Sequence, residues 1–192
     1  MRNGNPLKLA HLTLGVLLLL GNRVALPATN DGLMRAEVGL KLFHTMMLAD
    51  QDTVARADAN GILHVLMVYA DDENQARDLA AALEHDITPI HGLQVNIKIM
   101  ALAHFSATND LRPLAIFITQ RLQDEDLQKL VQFSIRQHVL LFSPFEGDVE
   151  QGVLGGLSVR TSVRPYINMH TLRRSGVHIK PFYLKVARQY GD

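Results

Sequence analysis

The chain has 192 residues, 47% of them apolar and 20% charged, with 19 basic and 19 acidic side chains. That length supports one domain with a real core and argues against a second full domain. The composition is ordinary for a globular protein, and the even charge balance argues against a nucleic-acid binder, which carries a basic excess or stripe. The absence of cysteine excludes a disulfide framework, a lipoprotein attachment and a thiol switch.

Residues 1–28 read as a secretory signal: Arg2 and Lys8 give a positive start, and Leu9–Leu20 is an apolar run of 12 residues. Such a run is too short to span a bilayer, which needs about 20 residues. Ala25-Leu26-Pro27-Ala28 offers the cleavage site, although Leu26 is larger than the small residue usual at that place. The remainder, residues 29–192, is expected to be a single soluble domain in the periplasm with no stable membrane insertion. It carries 16 basic and 19 acidic residues, a net charge of −3.

Asp31–Asp50 places Leu33, Val38, Leu42 and Met46 near helical spacing, with Leu40, Phe43 and Met47 widening the apolar face. Gln51–Gly61 is a polar connection. Ile62–Tyr69 is a continuous apolar run of strand length, the pattern of a buried central strand. Asp71-Asp72-Glu73 puts acids in the first turn of a helix, where the macrodipole favours them, and Ala76, Leu79, Ala80 and Leu83 give its inner face. Leu93–Leu102 alternates as a half-exposed strand, with Val95, Ile97 and Ile99 on one side. A polar loop, Ser106–Arg112, leads to a buried strand at Leu114–Thr119. Asp124-Glu125-Asp126 opens another helix, with Leu127, Leu130, Val131, Ser134 and Ile135 on its inner stripe, and His138–Phe142 is a fourth strand.

The carboxyl-terminal stretch Gly152–Arg188 opens with a glycine-interrupted apolar run, Gly152–Val159, whose glycines suggest a bulge or a close backbone approach. A turn at Arg160–Ser162 and an alternating strand from Val163 to Ile167 complete a hairpin. Asn168 can cap the short basic turn His170–Gly176, and Gly176 suits the left-handed position that ends it. Ile179–Tyr190 has Phe182, Val186 and Tyr190 at helical spacing, with Tyr183 and Ala187 beside them. Strands alternating with helices predict an α/β fold, a mostly parallel sheet of about six strands with a carboxyl-terminal antiparallel hairpin, flanked by helices.

The run Asn168-Met169-His170-Thr171-Leu172-Arg173-Arg174-Ser175-Gly176-Val177-His178-Ile179, followed by Leu184-Lys185-Val186-Ala187-Arg188, resembles the carboxyl-terminal signature of the YfiR-like periplasmic proteins. The chain departs from that family where it has His170, the family commonly having Asp, and in lacking the cysteine pairs of many members. The resemblance implies a non-enzymatic periplasmic regulator that represses an inner-membrane signalling enzyme, a diguanylate cyclase of cyclic-di-GMP signalling, by engaging its periplasmic sensor domain. A homodimer is a further association this reading allows. The alternative is a periplasmic small-molecule sensor or solute-binding component, which a deep pocket at the strand ends would favour.

Catalytic readings find little support. A nucleotide site at Ala70–Glu73 lacks the Gly-rich turn and would set three acids against a phosphate. No G-x-S-x-G elbow surrounds any serine, and no histidine pair has the i, i+4 spacing of a helical zinc site. His64, inside a buried strand, reads as a hydrogen-bonded core residue. No catalytic, cofactor-binding or metal-binding residue is therefore assigned. Arg160, Arg164, Arg173, Arg174, Lys180, Lys185 and Arg188 make the last third basic, which suits a charged docking face. Arg164, His170, Arg173, Arg174 and Lys180 are the candidate partner-binding residues.

Overall fold

The computed structural model describes residues 30–105 and 112–191; the expected signal segment and most of the Ser106–Arg112 loop lie outside them. Helix α1 (Asn30–Ala49) precedes strand β1 (Ile62–Tyr69), helix α2 (Glu73–Asp86), strand β2 (Gln94–Ala101) and strand β3 (Ala115–Ile118). Helix α3 (Asp124–Gln137), strands β4 (Leu140–Ser143), β5 (Gly155–Val159) and β6 (Val163–Asn168), helices α4 (Met169–Ser175) and α5 (Pro181–Val186), and strand β7 (Arg188–Tyr190) complete the order.

One sheet runs β2-β1-β3-β4-β5-β6-β7, and every neighbouring pair is parallel except β5 and β6. The α/β architecture with its antiparallel hairpin is thus as expected, with seven strands where about six were predicted. The seventh comes from Ile179–Tyr190, expected to be one helix. Pro181 starts α5 where its missing N–H costs nothing, but the helix ends at Val186 and Arg188–Tyr190 pairs with Tyr166–Asn168. The residues chosen by helical spacing, Phe182, Val186 and Tyr190, are exposed, and Tyr183 is the buried one.

Alternation along β1 divides the core. Leu63, Val65 and Met67 face the layer of α1 and α2, while Leu66 and Val68 face α3. Under α1, Phe43 sits 5.3 Å from Phe117 and 5.7 Å from Phe142, ring centroid to ring centroid. Each fully buried side chain of this size contributes about 2 kcal/mol. The buried stripe of α1 runs through Ala36, Leu40, Phe43, Met46 and Met47, whereas Leu33 and Val38 stay exposed. Gly39 explains the rotation: a Cβ there would lie 2.9 Å from Pro144 Cβ, so the helix packs closely where it has no side chain.

The glycines of β5 serve the same purpose. A Cβ on Gly156 would lie 2.7 Å from the Ser143 carbonyl oxygen, and one on Gly155 would lie 2.5 Å from Met46 Sδ. The close approach read from Gly152–Val159 is therefore observed. The cap at Asn168 is observed as well. Its Oδ1 accepts the Thr171 N–H at 2.9 Å, its Nδ2 donates to the Val149 carbonyl at 2.7 Å, and Gly176 ends α4 at φ +63°.

Candidate functional site

In an open parallel sheet, ligands favour the carboxyl ends of the strands where the strand order reverses. Here that point lies between β1 and β3, because β1 is followed by β2 on one side and β3 on the other. The chain's own side chains close this crevice. Gln120 Oε1 accepts the Asp72 N–H at 3.0 Å, and its Nε2 donates to the Asp71 carboxylate. Gln75 Nε2 reaches the Thr119 carbonyl at 2.8 Å, and Asp72 caps α2 by accepting the Gln75 N–H at 2.9 Å. The polar groups a solute would need there are already paired.

Beside it, at the ends of β3 and β4, Ser143 Oγ donates to Asp148 Oδ2 at 2.5 Å and accepts the Phe145 N–H at 3.2 Å. Asp148 is only 3% exposed. Burial pushes its carboxyl above the usual range, against the opposing pull of the Ser143 hydrogen bond and of Arg121, whose Nη1 stands 3.8 Å from Oδ1. Arg121 also donates to the Glu146 carbonyl. A shallow cavity of about 570 Å³ opens here, lined by Arg121, Leu122, Asp124, Asp126, Asp148 and Gln151 among others. No imidazole is bonded to the Ser143–Asp148 pair among the described residues, so the pair orders the 144–148 loop and lacks a base for the hydroxyl. Among the described residues no group of three or more His, Asp or Glu gathers at metal-binding distance, and His64 Nε2 instead meets Asp58 Oδ2 at 3.0 Å.

A second groove of about 560 Å³ separates α1 from α2, lined by Val38, Leu40, Lys41, His44, Leu83 and Asp86 among others. His44 Nε2 has no hydrogen-bond partner there. Burial lowers its pKa, with Asp86 pulling the other way.

The five candidate partner-binding residues fall in three places. Arg164 is exposed on β6 near the carboxyl ends of the parallel strands, with Nε 3.3 Å from Ser162 Oγ. His170, Arg173 and Arg174 are exposed on α4, beyond the far end of β6, at least about 13 Å along the strand from Arg164 at 3.3 Å per residue. Arg173 Nη2 donates to the Gly191 carbonyl at 3.0 Å, and the His170 ring packs against Gly191. Lys180 is half-buried under α1, where its Nζ donates to the Leu48 carbonyl at 2.9 Å and its backbone N–H to Ala49. The fold therefore does not bring these five together.

The structure adds a cluster that linear reading passed over. Strand β7 lays the Arg188 guanidinium over the Tyr166 ring, 4.6 Å from its centroid, with Nη1 3.3 Å from Ser158 Oγ. Tyr190 meets the same ring edge-on at 6.4 Å, and the Tyr166 hydroxyl donates to Glu150 at 3.0 Å. Arg164 is paired with Ser158 across the hairpin, on the same face. The basic last third noted in the sequence, seven Lys and Arg residues and no Asp or Glu over Gly152–Gly191, includes Arg188, but nothing in it singled that residue out from the other six.

No family model and no curated protein matches the chain. Among solved structures it is similar to an ABC domain in complex with L-Trp from Streptococcus pneumoniae, with a TM-score of 0.50, 13% identity and coverage of 81% of this chain and 61% of that one. It is similar also to the ligand-free, open form of CD0873, a substrate-binding protein with adhesive properties from Clostridium difficile, with a TM-score of 0.50, 12% identity and coverage of 79% and 58%. The chain spans less than two thirds of the length of either, and at these identities the likeness is one of fold.

Proposed function

We propose that this chain is a non-enzymatic, exported binding domain that regulates an inner-membrane signalling enzyme by docking on its periplasmic sensor domain. The observation that carries the docking reading is the closure of the strand-end crevice by Gln75 and Gln120, where a solute would otherwise bind. Support for the partner is the YfiR-like run from Asn168 to Arg188, whose Asn168 and Gly176 form the frame of α4. On that resemblance the enzyme is a diguanylate cyclase and the effect is repression.

A second reading, a periplasmic solute-binding component or small-molecule sensor, draws on the likeness to substrate-binding proteins, and the comparisons lend it more weight than the first. Its natural site is the groove between α1 and α2, where His44 presents an unpartnered ring nitrogen. Crosslinking in intact cells, followed by mass spectrometry of the membrane fraction, separates the two. Docking predicts capture of a membrane protein with a periplasmic domain and a cyclase output. The solute reading predicts no such capture, together with a melting-temperature rise for some small solute, as ligand linkage requires.

A further inference from the structure

We propose that the β6–β7 edge of the sheet, centred on Arg164 and Arg188, is the docking surface of this domain and takes an acidic, partly apolar protein surface. The proposal rests on the docking reading above.

Charge is the first ground. None of the seven cations between Gly152 and Gly191 forms an ion pair with a described residue, whereas Arg56, Arg77, Arg121 and Lys129 each do. In sequence the acids lie before this segment, apart from Asp192 just after it, and Glu150, the acid that reaches the cluster in space, is engaged by the Tyr166 hydroxyl. A segment this one-sided attracts negative charge and repels positive charge.

Arg188 is also held ready. Its stacking on Tyr166 and its hydrogen bond to Ser158 fix the guanidinium plane before any partner arrives. A fixed planar fork matches a carboxylate through paired N–H donors, and less conformational entropy is lost on binding. Tyr and Arg are the side chains that carry most interface energy. This arrangement favours a protein carboxylate over a lipid headgroup, for which mobile lysines would serve.

Apolar exposure is the third ground. Tyr190, exposed on the same face of β7 as Arg188, meets Tyr166 edge-on, while Val159 and Val163 are exposed on the opposite face of the hairpin and Phe182 and Val186 on α5. Tyr190 beside Arg188 gives the arginine face an apolar component as well as charge. The edge is poorly suited to accept another strand. Asn168 N–H bonds Leu154 O and Arg160 N–H bonds Ser162 O, so by alternation Val163, Pro165 and Ile167 turn their backbone outward. Strand β7 covers Ile167, and Pro165 has no N–H to give. Side chains, then, must do the recognising.

The test uses the full chain, exported and purified, and a fluorescein-labelled peptide of alternating Glu and Leu as the acidic probe, followed by anisotropy at low and physiological salt. Arg164→Glu with Arg188→Glu should weaken binding by about tenfold at low salt, and the loss should persist at physiological salt. There Lys98→Glu with Arg136→Glu, Lys98 being on the opposite edge strand β2 and Arg136 on α3, stays within about twofold, because charges beyond a Debye length of about 8 Å are screened. Arg164→Glu alone, an exposed side chain that hydrogen-bonds its neighbour Ser162, should weaken it by about threefold and guards against a folding defect in the double variant. Equal loss in both double variants, or no binding of the peptide by the parent chain, would overturn the proposal. So would loss, in the Arg164/Arg188 variant, of binding to phosphatidylglycerol-containing vesicles by a chain that ignores the peptide, because the edge would then belong to a membrane. Crosslinking keeps the two levels apart. A membrane partner captured equally by parent and Arg164/Arg188 variant refutes this face and leaves the docking reading standing, whereas no partner captured by the parent refutes the docking reading itself.

Discussion

Lys180 donates from Nζ to the Leu48 carbonyl at 2.9 Å, joining residues 132 positions apart. Its backbone N–H bonds Ala49, and Asp50 bridges Ile179. Together these satisfy the carbonyls left open at the end of α1 and place a positive charge at its negative pole. Lys180→Ala should therefore destabilise the fold by about 1.5–3 kcal/mol, the range for a hydrogen bond involving a charged group. Urea denaturation of the variant checks this. Unchanged stability with weakened partner binding would show that Lys180 acts at an interface instead.

Asn168 is 3% exposed and holds two segments at once, the start of α4 through Thr171 and the loop after β4 through Val149. Asn168→Ala removes a cap, worth about 1 kcal/mol, and leaves a buried carbonyl without its donor, costing about 1–3 kcal/mol more. Asn168→Asp keeps the acceptor for Thr171 but sets a carboxylate oxygen against the Val149 carbonyl. It should also lose stability, by thermal denaturation, and more so at neutral than at acid pH.

These local features were legible because they depend on neighbours in sequence. The apolar run Ile62–Tyr69 is the strand it resembles, Asn168 and Gly176 bound α4 as their chemistry requires, and His64 finds a hydrogen-bond partner at Asp58. Rotations and pairings decided over long distances were not legible. On α1 the bulk of Leu33 and Val38 pointed to a buried face, but the small residues Ala36 and Gly39 are what let the helix approach Pro144 and Phe142. Helical spacing of Phe182, Val186 and Tyr190 concealed a strand whose partner is 22 residues earlier, at Tyr166. The Arg188–Tyr166–Ser158 cluster exists only because of that pairing, so spacing along the chain carried no trace of it.

Gly155 and Gly156 are neighbours with different tolerances. An added Cβ at Gly155 meets the end of the flexible Met46 side chain, whereas at Gly156 it meets the Ser143 backbone carbonyl at 2.7 Å and Val149 Cγ2 at 2.6 Å. Met46 can rotate away, but the β4 backbone cannot move without parting from β5. Gly156→Ala should cost about 2–3 kcal/mol or more, in the upper range for overpacking, and Gly155→Ala about 1 kcal/mol. Melting temperatures of the two variants, compared side by side, test the order.

Burial raises the carboxyl of Asp148, and that of Asp50, above the ordinary range. Between the ordinary value and the raised one, the native state holds a proton that the unfolded chain has released. The stability linked to each group is fully present below the ordinary Asp pKa and is lost as pH rises through the raised value. Asp148→Asn keeps an oxygen for Ser143 but cannot ionise. The stability of the variant relative to the parent should therefore increase as pH rises from the ordinary Asp pKa through the raised one. Urea midpoints measured across that range check the sign. A difference that is flat, or that shrinks with pH, would show that Asp148 is not held protonated by burial.

The proposed role is restraint of an inner-membrane signalling enzyme through contact alone. Cyclic-di-GMP extracted from cells lacking the chain, measured against the parent strain and against cells supplied with the chain in trans, tests it most directly. Repression by docking predicts a severalfold rise on deletion that the exported chain reverses, while the Arg164→Glu, Arg188→Glu variant, present at equal periplasmic level, does not reverse it. An unchanged cyclic-di-GMP level on deletion would contradict it.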